Sequence, residues 1–387
     1  MMEELGVGII GAGNISAAYL RLAPLFRGFS IRAVADLNAK AASARAAEFG
    51  IRAETVDGLL AADDIDVVVN LTIPAAHFEV TKSILEAGKH AYSEKPVVLS
   101  RPEGEALAAL AAVRNLRVGS APDTFLGGSH QQARQLIDDG AIGPVVSGTA
   151  YVMGPGMEHW HPNPDFFFLP GAGPVLDIGP YYITNLVNLI GPVQRVGALS
   201  QTAYQTRTIT SEPRRGETVP VKTPTTLMAL LEFVSGAIIT LGASWDVKAH
   251  GHSNMELYGS EGSLFVPDPN FFGGTLKRAG ADGAVHAVEP WAHPFGIPNE
   301  GTEGKDPRAN YRCAGLADMV FALQENRPHR CALELATHSV DVMTAILTSA
   351  ESGEFVDMTT TCARPESLTP ELAARLIDGA VANFGQG

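Results

Sequence analysis

The chain has 387 residues, 45% of them hydrophobic and only 18% charged, enough for two domains with well-filled cores. Its net charge of −14 speaks against a nucleic-acid partner or an anionic membrane surface. Three cysteines, Cys313, Cys331 and Cys362, stand at no Cys-x-x-Cys spacing and are expected as reduced thiols of a cytoplasmic protein. Glu3 and Glu4 lead straight into an apolar stretch with no leader pattern, and no apolar run is long enough to span a bilayer.

Leu5 to Ile10 is an apolar run that ends in Gly11-Ala-Gly13-Asn14-Ile15-Ser16, after which Ile15, Ala18, Tyr19 and Leu22 share one helical face. Strand, glycine turn and helix are the context a dinucleotide fingerprint requires. Gly11 permits the turn, and Gly13 lets backbone amides approach a pyrophosphate at a helix N-terminus. The third small position of the pattern holds Ser16 in place of glycine. The next strand, Ile31 to Ala35, ends in Asp36, 23 residues after Gly13 (36 minus 13). That is close to the roughly 20 expected for the acid that binds the adenosine ribose. A carboxylate there accepts from the 2′-hydroxyl and repels a 2′-phosphate, favouring NAD over NADP. The alternative is a strand-end Asp that caps the helix Ala39 to Phe49.

Ile65 to Leu71 reads as a strand covered on both faces. Thr72-Ile-Pro74 follows, then a helix from about Ala76 to Gly88 with His77 in its first turn. A short strand, His90 to Ser93, leads into Glu94-Lys95-Pro96. A lysine beside a glutamate at the carboxyl end of a parallel strand lies where open α/β sheets bind ligands. Ser100 and Glu103 have capping-box spacing at the start of an alanine-rich helix, and Leu116 to Gly119 closes the unit. Strands alternating with helices predict a doubly wound parallel sheet of about six strands.

These features resemble the glucose–fructose oxidoreductase, inositol dehydrogenase and rhizopine-catabolism (Gfo/Idh/MocA) family. The resemblance rests on Gly11-Ala-Gly13-Asn14-Ile15-Ser16, Asp36, Thr72-Ile-Pro74 with His77, Glu94-Lys95-Pro96 and Gly173-Pro-Val-Leu-Asp177-Ile-Gly-Pro-Tyr181. It runs from about residue 5 to about residue 353. It implies a catalytic, substrate-binding role for Lys95 and a place near the nicotinamide ribose for Glu94. The family's second motif usually reads Asp-x-Gly-x-His. Here Asp177 matches, and Tyr181 stands at the histidine position, as in some members. The cofactor contacts implied are Gly11, Gly13, Asn14, Ile15, Asp36, Thr72, Pro74, His77, Glu94 and Lys95.

After Ser120 the alternation stops. Pro122-Asp123-Thr124 leads into a helix, about Ser129 to Asp139, then a strand, Val145 to Met153. The loop from Gly154 to Gly173 contains His159-Trp160-His161-Pro-Asn163-Pro-Asp165, a set suited to a hydroxyl-rich ligand. Its rivals are a rigid loop with structural histidines and, more remotely, a metal site; no metal is expected. Pro180 suggests the first turn of a helix, with Asp177 just before it and Asn185 one turn beyond Tyr181. Asp123, Thr124, His159, His161 and Asn185 are the expected substrate contacts.

Gln205 to Lys222 reads as a long exposed loop. Thr226 to Phe233 with Ala237 to Ser244, and Met255 to Tyr258 with Ser263 to Val266, carry hairpin signals. Two helices, about Ala309 to Gln324 and Leu333 to Ser349, complete an α+β domain with a large, mainly antiparallel, open-faced sheet. His250, His252 and His338 read as structural. The expected fold is thus α/β. A Rossmann domain spans 1–122, a substrate and oligomerisation domain 123–353, and a C-terminal extension 354–387.

The resulting expectation is an NAD-dependent dehydrogenase acting on a secondary hydroxyl of a sugar, sugar derivative or cyclitol. It would be a homo-oligomer, dimer or tetramer, formed through the C-terminal sheet. Lys95, Tyr181 and Asp177 are the catalytic candidates. Tyr181 is the candidate base, its phenol ionisation eased by the Lys95 ammonium, although Lys95 could itself accept the proton. An NAD-dependent glycosidase working by transient oxidation and elimination is one rival. A sugar-sensing binding protein without catalysis is the other, and it could dispense with Lys95.

Overall fold

The computed structural model describes residues 4–301 and 307–378. Six strands form the first sheet: β1 (Leu5–Ile10), β2 (Phe29–Ala35), β3 (Arg52–Glu54), β4 (Val67–Asn70), β5 (His90–Ser93) and β6 (Val118–Ser120). All pair in parallel, in the order β3-β2-β1-β4-β5-β6. Between them run α1 (Asn14–Leu22), α2 (Ala39–Phe49), α3 (Val56–Ala61), α4 (Pro74–Glu86) and α5 (Arg101–Arg114). Helices cover both faces, so Val67 to Asn70 is buried at every position rather than at alternate ones. The strand β3 escapes a reading by hydropathy because it is short, polar and at the sheet edge. The Ser100–Glu103 capping box forms as expected. The serine that replaces the third glycine is accommodated: Ser16 is buried, and its hydroxyl donates to the Gly13 carbonyl at 2.6 Å.

The second half begins with α6 (Gly128–Asp138), β7 (Val145–Met153), α7 (Pro174–Ile190) and β8 (Val193–Gln201). The short strands β9 (Thr206–Thr208) and β10 (Thr218–Pro220) pair with each other alone. Then come β11 (Thr226–Phe233), β12 (Ile238–Ser244), β13 (Met255–Gly259), β14 (Ser263–Val266), β15 (Lys277–Ala279) and β16 (Val285–Ala287). Helices α8 (Ala314–Glu325) and α9 (Leu333–Ser352), strand β17 (Val356–Asp357) and helix α10 (Pro370–Leu376) close the chain. A nine-stranded sheet runs β16-β15-β14-β13-β7-β12-β11-β8-β17. It is antiparallel except where β7 and β12 pair in parallel, so it is mixed.

Three expectations change. Helix α7 starts at Pro174, not at Pro180. Pro174 follows Gly173 (φ 105°) and takes the first helical turn, where a missing N–H costs nothing. Pro180 therefore sits inside the helix, and Asp177 lies in its first turn. The 205–222 segment is not a bare loop. It is a two-stranded arm with its own apolar cluster of Phe168, Ile209, Val219, Val221 and Trp245. Buried Arg207 links that arm to the rest through Glu158 and Asp246. Finally, the segment after residue 353 is woven into the fold. Val356 pairs with Val196 at the sheet edge, α10 packs on α8, and Ile377 bridges to Phe26 beside β2. The end of that extension, 379–387, lies outside the described residues.

Helix α9 packs against α5 of the first sheet and against α7 and β8 of the second. One buried apolar cluster continues from one half into the other. That continuity holds the carboxyl ends of the parallel strands against the N-terminal turns of α7.

Candidate active site

Four short segments meet at those strand ends. Gly11, with φ 111°, turns the chain from β1 into α1. Gly13 is the N-cap of α1, and no side chain caps the helix. A Cβ built on Gly13 would meet nothing within 4 Å, so the first turn, with Asn14 exposed and Ile15 half-buried, opens onto free space. An uncapped helix N-terminus beside an open cradle suits a pyrophosphate. Asp36, at the end of β2, accepts from the Ala12 N–H at 2.8 Å and, two residues on, from the Asn38 N–H at 2.8 Å. The α2 N-cap is Asn38, not Asp36. Asp36 thus ties down the glycine turn.

Thr72 and Pro74 open α4, with the Thr72 hydroxyl donating to Asn70 Oδ1 at 2.7 Å. His77 departs from expectation. Its ring is buried, with Nδ1 2.6 Å from the Pro96 carbonyl and Nε2 3.0 Å from the Thr72 carbonyl. It braces the Thr72 and Lys95-Pro96 loops against each other and presents no polar atom to a cofactor. A first-turn position cannot tell an outward from an inward side chain.

Glu94 takes the Tyr19 hydroxyl on Oε1 at 3.1 Å and the Lys95 N–H on Oε2 at 3.0 Å. The Lys95 side chain crosses to α7. Its Nζ donates to the Asp177 carbonyl at 2.6 Å and to Asp177 Oδ1 at 3.2 Å, and it lies 5.1 Å from the centroid of the Tyr181 ring. Burial disfavours the ammonium, but the charges of Tyr181, Asp177 and Glu94 outweigh it and raise the Lys95 pKa. Lys95, Asp177 and Tyr181 are therefore brought together across the two halves.

The sequence reading missed one charged neighbour of the cluster, Arg312, which precedes α8 and lies within electrostatic reach of Tyr181, Glu94 and Asp123. Burial disfavours its cation too, yet Tyr181, Glu94 and Asp123 raise its pKa overall. No spacing signal could have found it, because it lies 131 residues from Tyr181 (312 minus 181) in an irregular turn.

The substrate candidates divide. Asp123 is buried, and its Oδ2 accepts from the backbone N–H groups of Cys313 and Gly315, each at 3.1 Å; it anchors the start of α8. Thr124 is buried beside it. Asn185 is fully buried, its amide 3.1 Å from His130 Nδ1. One turn along a helix buried on nearly every side carries Asn185 into the core, and the polar groups of Asn185 and Asp123 are taken up by other parts of the protein. His159 is exposed, and His161 sits among the Trp160, Phe166 and Phe167 rings. Asp165 pairs with Arg214, and His161 Nδ1 accepts from the Asn163 N–H, so the two do not converge on an ion. Among the described residues no three His, Cys, Asp or Glu side chains form a metal-binding group. The three cysteines carry free thiols. No described helix is long and apolar enough to cross a membrane.

A Rossmann sheet with its glycine turn and strand-end acid, facing a lysine–carboxylate–tyrosine cluster, defines an NAD-binding oxidoreductase. Residues 5–121 match the family model described as "Oxidoreductase family, NAD-binding Rossmann fold", and residues 130–265 match the GFO/IDH/MocA C-terminal domain. The chain belongs to this GFO/IDH/MocA oxidoreductase family. It is 27% identical over 292 residues to levoglucosan dehydrogenase from Pseudarthrobacter phenanthrenivorans, covering 68% of this chain and 73% of that protein. Over 138 residues it is 30% identical to inositol 2-dehydrogenase from Rhizobium meliloti, covering 36% and 42%. A solved levoglucosan dehydrogenase complex with NADH and L-sorbose superimposes with a TM-score of 0.78 at 24% identity, over 93% of this chain and all of that one. That likeness concerns the fold.

Proposed function

We propose that the chain oxidises a secondary hydroxyl of a sugar, sugar derivative or cyclitol, or reduces the matching ketone, with NAD as hydride carrier. One observation carries the reading: Lys95, at a strand's carboxyl end, is held on both the carbonyl and the carboxylate of Asp177 and against the ring of Tyr181. The named activities of the relatives support the substrate class.

NAD, when bound, accepts or returns a hydride. Its pyrophosphate would lie on the first turn of α1 at Gly11, Gly13, Asn14 and Ile15. Its adenosine ribose would lie at Asp36, whose charge favours NAD over NADP. Its nicotinamide end would lie near Thr72, Pro74, Glu94 and Lys95. Everything else is work for side chains. Lys95, kept charged, has no lone pair with which to take a proton, so it donates hydrogen bonds to the substrate oxygen. Tyr181 takes the alcohol proton in oxidation and returns it in reduction. Asp177 fixes the ammonium. His159 and His161 lie on the loop that leads into α7 and are the candidate contacts to further hydroxyls. The test is absorbance in the NADH band as sugars and cyclitols are added with NAD, and as the corresponding ketones are added with NADH. A change with at least one is expected; none with any overturns the proposal.

The same reading extends to assembly. Leu199, Met228, Leu230 and Ile238 are exposed on the outer face of the large sheet, with Met228 directly opposite Leu199 on the neighbouring strand. An apolar face of that kind suits a second copy of the chain, in a dimer or tetramer, and free thiols suit the cytoplasm. Sedimentation of the wild type against Leu230→Glu measures this: the variant should shift to the monomer.

A further inference from the structure

Helix α1 carries on its buried face a tyrosine, Tyr19, that no step of the proposed reaction uses. It is fully buried, and its hydroxyl donates to Glu94 Oε1 at 3.1 Å. Burial, and the Glu94 charge beside it, push its ionisation well above the ordinary phenol range, so the hydroxyl keeps its proton and remains a donor. From the second half of the chain the Cys313 thiol donates to the Tyr19 carbonyl at 3.6 Å. Glu94 is tied to its own strand end as well. Its N–H donates to the Asn70 carbonyl at 2.9 Å, its carbonyl accepts from the Ser93 hydroxyl at 3.1 Å, and its Oε2 accepts from the Lys95 N–H at 3.0 Å.

A carboxylate offers roughly four lone-pair directions, two per oxygen. Tyr19 takes one on Oε1 and the Lys95 N–H takes one on Oε2, which fixes the plane of the Glu94 carboxylate and leaves one direction open on each oxygen. Tyr19 lies six residues after Gly13 (19 minus 13), about 9 Å further along α1 at about 1.5 Å per residue. One helix thus runs from the turn suited to a pyrophosphate to the hydroxyl that sets Glu94, and Glu94 in turn grips the Lys95 backbone. We propose that Tyr19 is a positioning residue of the hydride-transfer reaction. Through Glu94 it holds the Lys95 loop at a fixed distance from the pyrophosphate cradle and keeps the open lone pairs of Glu94 for a ribose hydroxyl at the nicotinamide end. The inference rests on the reading of Lys95 as the group that meets the substrate oxygen. Tyr19 itself exchanges no proton.

The experiment uses the full chain and compares Tyr19→Phe, which keeps the ring, with Glu94→Ala and the double variant. Turnover is measured with NAD and a polyol on which the wild type is active, and cofactor affinity by fluorescence titration of NADH without substrate. Tyr19→Phe should lower kcat by about tenfold or more, part of the roughly 10²-fold that a misplacement of about 1 Å can cost, with KM for the polyol within a few-fold. It should weaken NADH binding by about three- to tenfold. In the Glu94→Ala background the same substitution should cost less than about twofold in either quantity, because the two side chains act as one unit. A tyrosine that only fills the core predicts a lower melting temperature with kcat and NADH affinity kept. Three results overturn the inference: Tyr19→Phe within about twofold of wild type in kcat or in NADH affinity, a loss that appears in polyol KM alone, or equal losses in the two backgrounds. Should Tyr19→Phe fail to fold, Tyr19→Met, whose flexible side chain fills the space without a hydroxyl, carries the same comparisons. A wild type that turns over no sugar or cyclitol overturns the underlying functional reading instead; the NADH titrations still test the Tyr19–Glu94 unit, so the two failures are distinguishable.

Discussion

Asp36 does two jobs at once, so its replacement has a calculable double effect. The carboxylate accepts from the Ala12 and Asn38 N–H groups, each at 2.8 Å, and stands where the adenosine ribose would sit. A 2′-phosphate placed about 4 Å from it would be repelled by about 4 kcal/mol per unit charge at an effective dielectric of about 20. That is about three powers of ten against NADP, less whatever solvent and salt screen. Asp36→Asn removes the charge but not the shape. The amide has a single acceptor oxygen, so one of the two N–H groups would face the NH₂ instead. Losing a charge-assisted bond of that kind costs about 1.5–3 kcal/mol. NAD should therefore bind about 10–100-fold more weakly, while the preference over NADP collapses from hundreds-fold toward parity. Calorimetric or fluorescence titration of both reduced cofactors into wild type and variant measures each term separately. Equal wild-type affinities, or a variant that weakens NAD and NADP by the same factor, would refute the reasoning.

Two further outcomes follow from the geometry. Lys95→Ala removes the ammonium from Asp177 and from the Tyr181 ring, so turnover should fall by about 10²–10⁴-fold while NAD affinity and melting temperature stay near wild type; more than about a tenth of the wild-type rate left would show that Lys95 is not essential. His338 is buried, with Nε2 accepting from the Val193 N–H and Nδ1 facing the Thr360 hydroxyl, and burial pushes its pKa down to about 4 from 6.5. A histidine kept neutral in the fold contributes stability above its unfolded pKa, lost as pH falls from about 6.5 toward 4. Between pH 7 and pH 5 that loss is about 2 kcal/mol for this residue. His338→Gln can preserve both hydrogen bonds but not titrate, so urea unfolding at the two pH values should show a dependence smaller by that amount; an unchanged dependence would count against it.

Much of the first half was legible because its signals are local. A covered parallel strand is apolar along its whole length, a glycine turn and a strand-end acid stand at fixed offsets, and the Ser100–Glu103 box needs only four residues. Asp177 and Tyr181 were legible as a motif, and His338 as a structural histidine. By itself the sequence determined the doubly wound sheet, its glycine turn and strand-end acid, and Lys95 as the residue at the strand end. What only the tertiary structure decided is which polar groups face inward and what they meet. His77 turned out to be a brace, Asn185 a core amide, and Asp123 an anchor for α8, since each role depends on a partner from a distant segment. The 205–222 arm could not be distinguished from a loop because its strands are three residues long and its apolar partners, Phe168 and Trp245, come from elsewhere. Arg312 lies in the electrostatic neighbourhood of Tyr181 and Glu94, on a turn before α8 that Asp123, just past the last strand of the first sheet, holds through the Cys313 and Gly315 N–H groups. Periodicity encodes how a segment buries its own face; it carries no information about which two segments the packed core will bring together.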